Sequence, residues 1–239
     1  MAADRTIAER VTRVDWTQVA GALDADGWAR LGTLLSARER RALIALFGDP
    51  ARFRSHVDMA RHRFGRGEYR YFAHPLPAIV IGLRTALYGR LAPLANRWMQ
   101  ALGRSHDYPP TLAAYLARCH DAGQVRPTPL VLHYRGGDYN CMHQDLYGEL
   151  AFPLQVVIAL SSPGVDYDGG ELIFTEQRPR SQSRSTAVVV QAGEGIVFTN
   201  RERPVPGARG VYRVQMRHGV STVTCGERFA LGLIFHDAR

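Results

Sequence analysis

The chain has 239 residues and a mass of 26.6 kDa, and 46% of its residues are hydrophobic. A chain of this length buries about 70% of the surface that its unfolded form exposes, which excludes a mini-protein held together by disulfides. The composition also excludes a disordered chain and a fibrous repeat. The three cysteines are scattered without a CxxC pair. This pattern favours a reducing compartment, so we expect a cytoplasmic protein.

Targeting and membrane signals are not recognisable in the sequence. The first residues lack the basic and apolar segments of a signal peptide. No run reaches the length of about 18 consecutive apolar residues that a bilayer-spanning helix needs. We therefore expect no membrane partner, and the sequence leaves the oligomeric state open.

The basic residues are all arginine and are unevenly distributed. Residues 1–130 contain 19 Arg against 11 Asp and Glu, whereas residues 131–239 contain 11 against 11. The net charge of +8 therefore lies in the first half. Arginine pairs bidentately with phosphate and stacks on bases, so the surplus favours an anionic partner, with DNA or another nucleic acid first. Genomic base composition is the alternative explanation for the arginine usage.

Periodic apolar patterns predict mainly helices in the first half. Ser36 stands three residues before Glu39, the spacing of a capping box, and this predicts a helix that begins there. Other elements are predicted over 1–26 (helix), 27–32 (strand), 78–103 (helix) and 111–121 (helix).

After Pro127, short runs rich in Val, Ile, Leu and Phe alternate with Gly, Pro, Asp and Asn clusters. Short strands at this turn-rich spacing predict a sandwich or barrel. The predicted strands are 129–135, 152–160, 170–175, 186–191, 195–199, 211–217, 220–224 and 228–235. We therefore predict an α+β fold and a single domain over 1–239, in which a mainly helical, basic layer (1–128) packs on a β-core (129–239).

The strongest local signal for a site is His143-Gln144-Asp145. In an extended segment residues i and i+2 point to the same face, so the imidazole and the carboxylate converge. His218, at the end of a predicted strand, is the third candidate ligand. Two histidines and one carboxylate form the facial triad of non-heme Fe(II) oxygenases. Arg228 follows ten residues later inside an apolar strand, where a guanidinium is costly unless an anion pairs with it.

The combined pattern resembles the signature of the Fe(II)/2-oxoglutarate-dependent dioxygenases. Tyr134, Gly137 and His143 reproduce the Tyr-x-x-Gly-(x)₅-His segment of the prolyl-hydroxylase-like and AlkB-like branches. The segment Gly169-Gly170-Glu171-Leu172 is similar to the "GGEL" that opens a strand in prolyl-hydroxylase-like members. The whole chain resembles a bacterial group of such oxygenases that is described as acting on alkylation-damaged DNA.

The resemblance implies a double-stranded β-helix (jelly-roll) core and the cofactors Fe(II), 2-oxoglutarate and O₂. It implies that His143, Asp145 and His218 bind the metal and that Arg228 and Tyr134 bind 2-oxoglutarate. No catalytic residue beyond the metal centre is implied. The implied reaction couples decarboxylation of 2-oxoglutarate to hydroxylation of a C–H bond. On an N-methylated base the hydroxylated methyl group leaves as formaldehyde.

The stretch 61–72 interleaves cations with aromatic rings, as a platform for single-stranded nucleic acid or a flipped base requires. The alternative is a solvated loop whose aromatic residues pack on the β-core. The candidate substrate contacts are Arg61, Arg63, Phe64, Arg66, Tyr69, Arg70 and Tyr71.

Two departures from the AlkB-like pattern leave the substrate open. Ile234 stands where those enzymes carry a second arginine, and Leu132 stands where they tend to have an asparagine. The alternatives are hydroxylation of a protein side chain, as in prolyl hydroxylases, or of a small metabolite. A different class of alternative is a non-catalytic binding module with a vestigial metal site. The residue that binds the C1 carboxylate of 2-oxoglutarate also stays open.

Overall fold

A computed structural model describes residues 5–105, 107–145, 149–208 and 210–239. Two antiparallel β-sheets pack face to face, and the helices cover the outer face of the larger sheet. The helices are α1 (Ile7–Thr12), α2 (Trp16–Asp26), α3 (Ala37–Leu46), α4 (Ala78–Ala101) and α5 (Leu112–Asp121). The strands are β1 (Trp28–Thr33), β2 (Phe53–Asp58), β3 (Gly65–Arg66), β4 (Glu68–Phe72), β5 (Leu130–Arg135), β6 (Tyr139–His143), β7 (Leu154–Ala159), β8 (Tyr167–Gly169), β9 (Leu172–Gln177), β10 (Arg184–Val188), β11 (Glu194–Thr199), β12 (Glu202–Gly207), β13 (Gly210–Val220) and β14 (Val223–Leu233).

Strand order follows the pattern of a double-stranded β-helix. Among the described residues the larger sheet has the order β1-β11-β7-β14-β5-β4-β2, with β8 paired to β14. The smaller sheet has the order β10-β9-β13-β6-β3, with β12 paired to β13. From β5 to β7 and again from β11 to β14, the chain crosses repeatedly from one sheet to the other. The predicted α+β fold with a jelly-roll core is confirmed.

Side-chain alternation along β7 separates two cores. Val156 and Ile158 are buried against the helices. Val157 and Ala159 face the smaller sheet, where they pack in a second apolar cluster. Because residues i and i+2 share a face, Gln155 also points into the space between the sheets.

Helix α4 is the central element of the helical layer. By length and composition alone it is long and apolar enough to cross a membrane. Core helices meet the same criterion, and ten residues of α4 are buried in this fold. One of them, Arg84, pairs with Asp237 at 2.7 Å and donates to the carbonyl of Ile234. The expectation that no helix spans a bilayer stays a prediction.

The first 128 residues contribute strands as well as helices. Strand β4 pairs with both β2 and β5, so it extends the larger sheet beyond the predicted β-core. Strand β3 pairs with β6 in the smaller sheet. The segment 61–72 is therefore built into both sheets rather than projecting as a loop. Gly65 permits this contact, because a Cβ there would lie 2.3 Å from the Tyr139 carbonyl oxygen.

An ion pair joins α1 to the start of α3. Ser36 and Glu39 form the predicted capping box. Glu39 also accepts two hydrogen bonds from the Arg10 guanidinium, at 2.6 and 2.7 Å. The hydrogen bonds from Arg10 lower the pKa of Glu39 from 4.5 to about 2.

We expect Glu39→Gln to lower the free energy of unfolding at neutral pH by about 1–2 kcal/mol, because it keeps the capping acceptor but removes the charge of the bidentate pair with Arg10. Since the folded pKa is depressed, this stabilisation is present above pH 4.5 and is lost as the pH falls toward about 2. Denaturant unfolding of both proteins across pH measures the difference. Glu149→Gln, at an exposed carboxylate, is the control. An equal loss in both variants at neutral pH contradicts the prediction.

Candidate metal centre and its cavity

The three predicted metal ligands converge between the sheets. Strand β6 ends at His143, which lies opposite His218 of β13 in the antiparallel register. Asp145 Oδ1 is 3.4 Å from His143 Nε2, and Asp145 Oδ2 is 3.1 Å from His218 Nε2. One ligand atom from each residue lies within 4.8 Å of the others. The three side chains can therefore hold one metal ion.

Backbone carbonyls and a glutamine orient this group. The carbonyl of Cys141 accepts the Nδ1–H of His143 at 2.8 Å, which leaves Nε2 with a free lone pair for a metal. Gln144, between the two ligands, donates to the carbonyls of Met216 and Arg201 at 2.8 and 3.1 Å. The side chain of Gln144 thereby fixes the His-x-Asp segment against β13.

The local electrostatics favour the metal-binding protonation states of Asp145 and His218. For His143, burial disfavours the charged imidazolium, but contact with Asp145 outweighs burial and raises the pKa. Burial disfavours the ionised form of Asp145, but its close contacts with His143 and His218 outweigh this cost and hold its pKa well below the usual value. Burial lowers the pKa of His218. The carboxylate is therefore ionised and His218 is neutral at neutral pH, and both donate lone pairs in those states.

The donor set identifies the kind of metal. Two imidazole nitrogens and one carboxylate oxygen, with the remaining positions open, suit non-heme Fe(II). Within the described ranges this is the one group of His, Cys, Asp or Glu that meets the distance criterion for a metal.

A cavity of about 480 Å³ opens beside the triad, between the two sheets. Its lining is largely apolar and aromatic. Leu132 and Ile234, the two departures from the AlkB-like pattern, both belong to this lining. The cavity wall is therefore apolar at these two positions, where the AlkB-like pattern has an asparagine and an arginine.

Arg228 is buried at one side of this cavity with 3% of its surface exposed. The guanidinium carbon lies 5.4 Å from the ring centroid of Tyr134 and 5.9 Å from that of Tyr167. Within the described residues no carboxylate pairs with it, and its Nε has no hydrogen-bond partner. A Cβ at Gly170 would lie 2.8 Å from Arg228 Cδ, so this glycine makes room for the arginine stem. A buried guanidinium without an acidic partner is suited to an anionic ligand.

Tyr134 also lines the cavity and is fully buried. Its hydroxyl oxygen accepts a hydrogen bond from the Asn140 side chain at 3.5 Å. Burial raises the pKa of Tyr134 to about 12. The phenol therefore stays protonated at neutral pH and is able to donate to an anion.

The predicted substrate contacts divide into two groups. Arg63, Phe64, Tyr69 and Tyr71 line the cavity. Arg61 and Arg66 are exposed and lie outside the lining, and Arg61 pairs with Asp58 at 3.4 Å.

The structure does not bring Arg70 to the cavity. It alternates with Tyr69 and Tyr71 along β4 and so points to the opposite face of the strand. There its guanidinium lies 4.3 Å from the ring centroid of Phe47 and donates to the Phe47 carbonyl at 2.7 Å. Arg70 is thus placed for packing rather than for a substrate contact.

Sequence reasoning missed two polar residues of the site, Gln144 and Gln155. Gln155 carried a signal, because it is the one polar residue in the apolar strand Leu154–Ala159. Gln144 lies between the two ligands of the motif, and the motif itself gives no sign of the carbonyls that its side chain contacts.

The site and the fold together define a class: a metal-dependent oxygenase centre inside a double-stranded β-helix. Solved structures agree on the fold. A prolyl-4-hydroxylase from Pseudomonas putida has a TM-score of 0.54 and 16% identity, with coverage of 98% of this chain and 100% of that chain. An oxidoreductase of the 2-oxoglutarate–Fe(II) oxygenase family from Burkholderia pseudomallei has a TM-score of 0.53 and 18% identity, with coverage of 98% and 94%.

The family follows from sequence. Residues 67–238 match the Oxygenase-NA family, described as oxygenases catalysing oxidative methylation of damaged DNA, and the chain belongs to this family. Two uncharacterised proteins from Mycobacterium tuberculosis, strains CDC 1551 and H37Rv, are 54% identical over 167 residues, which is 70% of this chain and 72% of each relative. The chain is an oxygenase, and the triad fits the Fe(II) that enzymes of this fold use with 2-oxoglutarate and O₂.

We expect Mn²⁺, a redox-stable substitute for Fe(II), to raise the Tm of the wild-type protein, because an ion that binds only the folded state stabilises it by about 2.7 kcal/mol at 100 times its Kd. Asp145→Ala should abolish the rise, since it removes the anionic ligand. Differential scanning fluorimetry at increasing Mn²⁺ measures the effect. Asp168→Ala, at an exposed carboxylate, should respond like the wild type. A full response in Asp145→Ala would place the metal elsewhere.

Proposed function

We propose that this protein is an Fe(II)- and 2-oxoglutarate-dependent dioxygenase that hydroxylates alkyl groups on DNA bases and so removes them. The observation that carries the proposal is the continuity of the metal triad with an aromatic cavity that Arg63 and Phe64 also line. The description of the family as oxygenases acting on damaged DNA supports the same substrate class.

The residues of this chain would bind and orient the cosubstrate. His143, Asp145 and His218 would hold Fe(II), which supplies the redox chemistry that couples decarboxylation of 2-oxoglutarate to C–H hydroxylation. Arg228 would pair with the far carboxylate of 2-oxoglutarate through a bidentate contact. The protonated hydroxyl of Tyr134 would donate a hydrogen bond to the same molecule. The apolar wall formed by residues such as Leu132 would keep water away from the reacting centre.

The cavity lining supports a nucleobase as the reacting group. Tyr69 and Tyr71 form an edge-to-face pair with ring centroids 5.5 Å apart. Phe64 is 48% exposed and stacks on His62 at 5.3 Å, with 21° between the ring planes. Exposed aromatic faces beside a cation suit an extruded base and its neighbours. The Phe64 carbonyl accepts the Cys141 N–H at 2.8 Å, which ties this surface to the strand that carries His143.

A second candidate is hydroxylation of a protein side chain. The observation that favours it is the likeness to prolyl-4-hydroxylases, which concerns the fold alone. Formaldehyde release separates the two reactions, because a hydroxylated proline ring keeps its carbon whereas a hydroxylated N-methyl group is lost.

We expect purified protein with Fe(II), 2-oxoglutarate and O₂ to release formaldehyde from N-methylated single-stranded oligonucleotides. Phe64→Ala should lower kcat/KM for the oligonucleotide about tenfold, because a stacked base contributes about 1–3 kcal/mol. Decarboxylation of 2-oxoglutarate in the absence of oligonucleotide should not change. Arg13→Ala, at an exposed arginine of the N-terminal layer, is the control. Succinate without formaldehyde across a panel of methylated bases would contradict the DNA substrate.

We expect Arg228→Lys to raise the 2-oxoglutarate concentration needed for half-maximal turnover by at least about tenfold, because an ammonium cannot reproduce the bidentate contact. Binding of Mn²⁺ should change by less than about twofold, since Arg228 is not a predicted ligand. Turnover at increasing 2-oxoglutarate and a separate Mn²⁺ titration measure the two effects. If both affinities fall equally, Arg228 serves the structure rather than the cosubstrate.

A further inference from the structure

Gln155 is the buried polar side chain nearest to the metal ligands that has no role so far. It lies in β7, a central strand of the larger sheet, with 5% of its surface exposed. Its neighbours in the strand, Leu154 and Val156, are fully or almost fully buried. A primary amide in such a strand is costly unless its hydrogen bonds are made. The hydrogen-bond partners of the Gln155 amide therefore indicate the role of this residue.

Both described partners of the amide are predicted metal ligands. Gln155 Nε2 lies 2.9 Å from Asp145 Oδ2 and 3.2 Å from His218 Nε2. A carboxylate only accepts hydrogen bonds, so the amide nitrogen and not the amide oxygen must face it. The same nitrogen then donates to His218 Nε2. That contact requires a neutral imidazole with its proton on Nδ1, which is the tautomer a metal at Nε2 also requires.

Asp145 is the ligand that most needs this support. His143 and His218 lie in paired strands, so their backbones are held by the sheet. Asp145 follows the end of β6 and lies outside the named strands. The Gln144 side chain fixes the adjoining backbone, but the carboxylate itself is tied to the larger sheet by Gln155.

We propose that Gln155 is a positioning residue that orients the carboxylate of Asp145 for the metal. A metal ion needs the lone pair of His218 Nε2. The hydrogen bond from Gln155 to this atom and metal binding therefore exclude each other. The contact with Asp145 Oδ2 uses only one lone pair of that oxygen and is compatible with a bound metal. The inference rests on the metal site of the proposed function. Removing a residue that hydrogen-bonds to a metal ligand lowers the metal affinity by about 10–100-fold.

The test compares three variants of the full-length protein by Mn²⁺ titration without cosubstrate. Gln155→Met keeps the length of the side chain but has no donor, and a thioether binds the hard Mn²⁺ poorly. Gln155→Asn keeps the amide but does not reach the ligands. Val157→Ala, on the same face of the same strand, is the packing control. We expect the Mn²⁺ Kd to rise about 10–100-fold in both Gln155 variants and to stay within about twofold in Val157→Ala.

The visible spectrum of the Co²⁺-loaded proteins is a second measurement, and a change in packing alone does not alter it. We expect the visible spectrum of Co²⁺ to change in Gln155→Met, because a carboxylate that is free to turn alters the coordination of the ion. Wild-type affinity in Gln155→Met, or equal loss in Val157→Ala, overturns the role of Gln155. If the wild-type protein itself binds Mn²⁺ no better than Asp145→Ala, the metal site of the proposed function fails instead.

Discussion

The antiparallel pairing of β6 with β13 places the two imidazoles of the site side by side, 4.2 Å between ring centroids. Side chains alternate along a strand, so a slip of one residue would turn one histidine to the opposite face of the sheet. Contacts within the smaller sheet and between the two sheets oppose such a slip. Gln144 bonds to the Met216 carbonyl, and Phe198 packs its ring 4.7 Å from that of His218. The metal centre therefore depends on the register of β6 and β13 and on side-chain contacts from the larger sheet.

Buried arginines elsewhere in the protein clarify the role of Arg228. Arg84 pairs with Asp237 at 2.7 Å, and Arg203 pairs with Glu176 at 2.5 Å. Both are almost fully buried, and each has a carboxylate that compensates for desolvation. Arg228 is equally buried, yet among the described residues no carboxylate pairs with it, and it faces the cavity beside the metal triad. Arg84 and Arg203 thus pair with acids of the protein itself, whereas Arg228 is placed to pair with the anion of a bound ligand.

The site was more predictable from sequence than the strands that carry it. The residue types and spacing of His143, Asp145 and His218 can be read directly from the sequence. Strand β6, by contrast, is not apolar enough to be recognised as a strand. Strand β12 was missed because it contains Pro204 and Pro206, which favour a loop unless the strand lies at a sheet edge, as β12 does. In β4 the alternation of Tyr69, Arg70 and Tyr71 was visible, but which side faced the cavity depended on pairing with β5, a contact distant in the sequence.

The position of β3 and β4 changes how the charge surplus of the first half is interpreted. Several of its arginines bind within the fold: Arg10 to Glu39, Arg84 to Asp237, and Arg70 to the Phe47 carbonyl. Their guanidinium groups bond within the fold, so fewer arginines are available to contact a nucleic acid than the count of basic residues suggests. Arg63 is different, because it lies beside Phe64 in the cavity lining, on a segment bonded to the strand of His143. If DNA is the substrate as proposed, Arg63 would be the cavity-lining arginine that contacts it, and the net charge of the half-chain would act mainly on the rate of encounter.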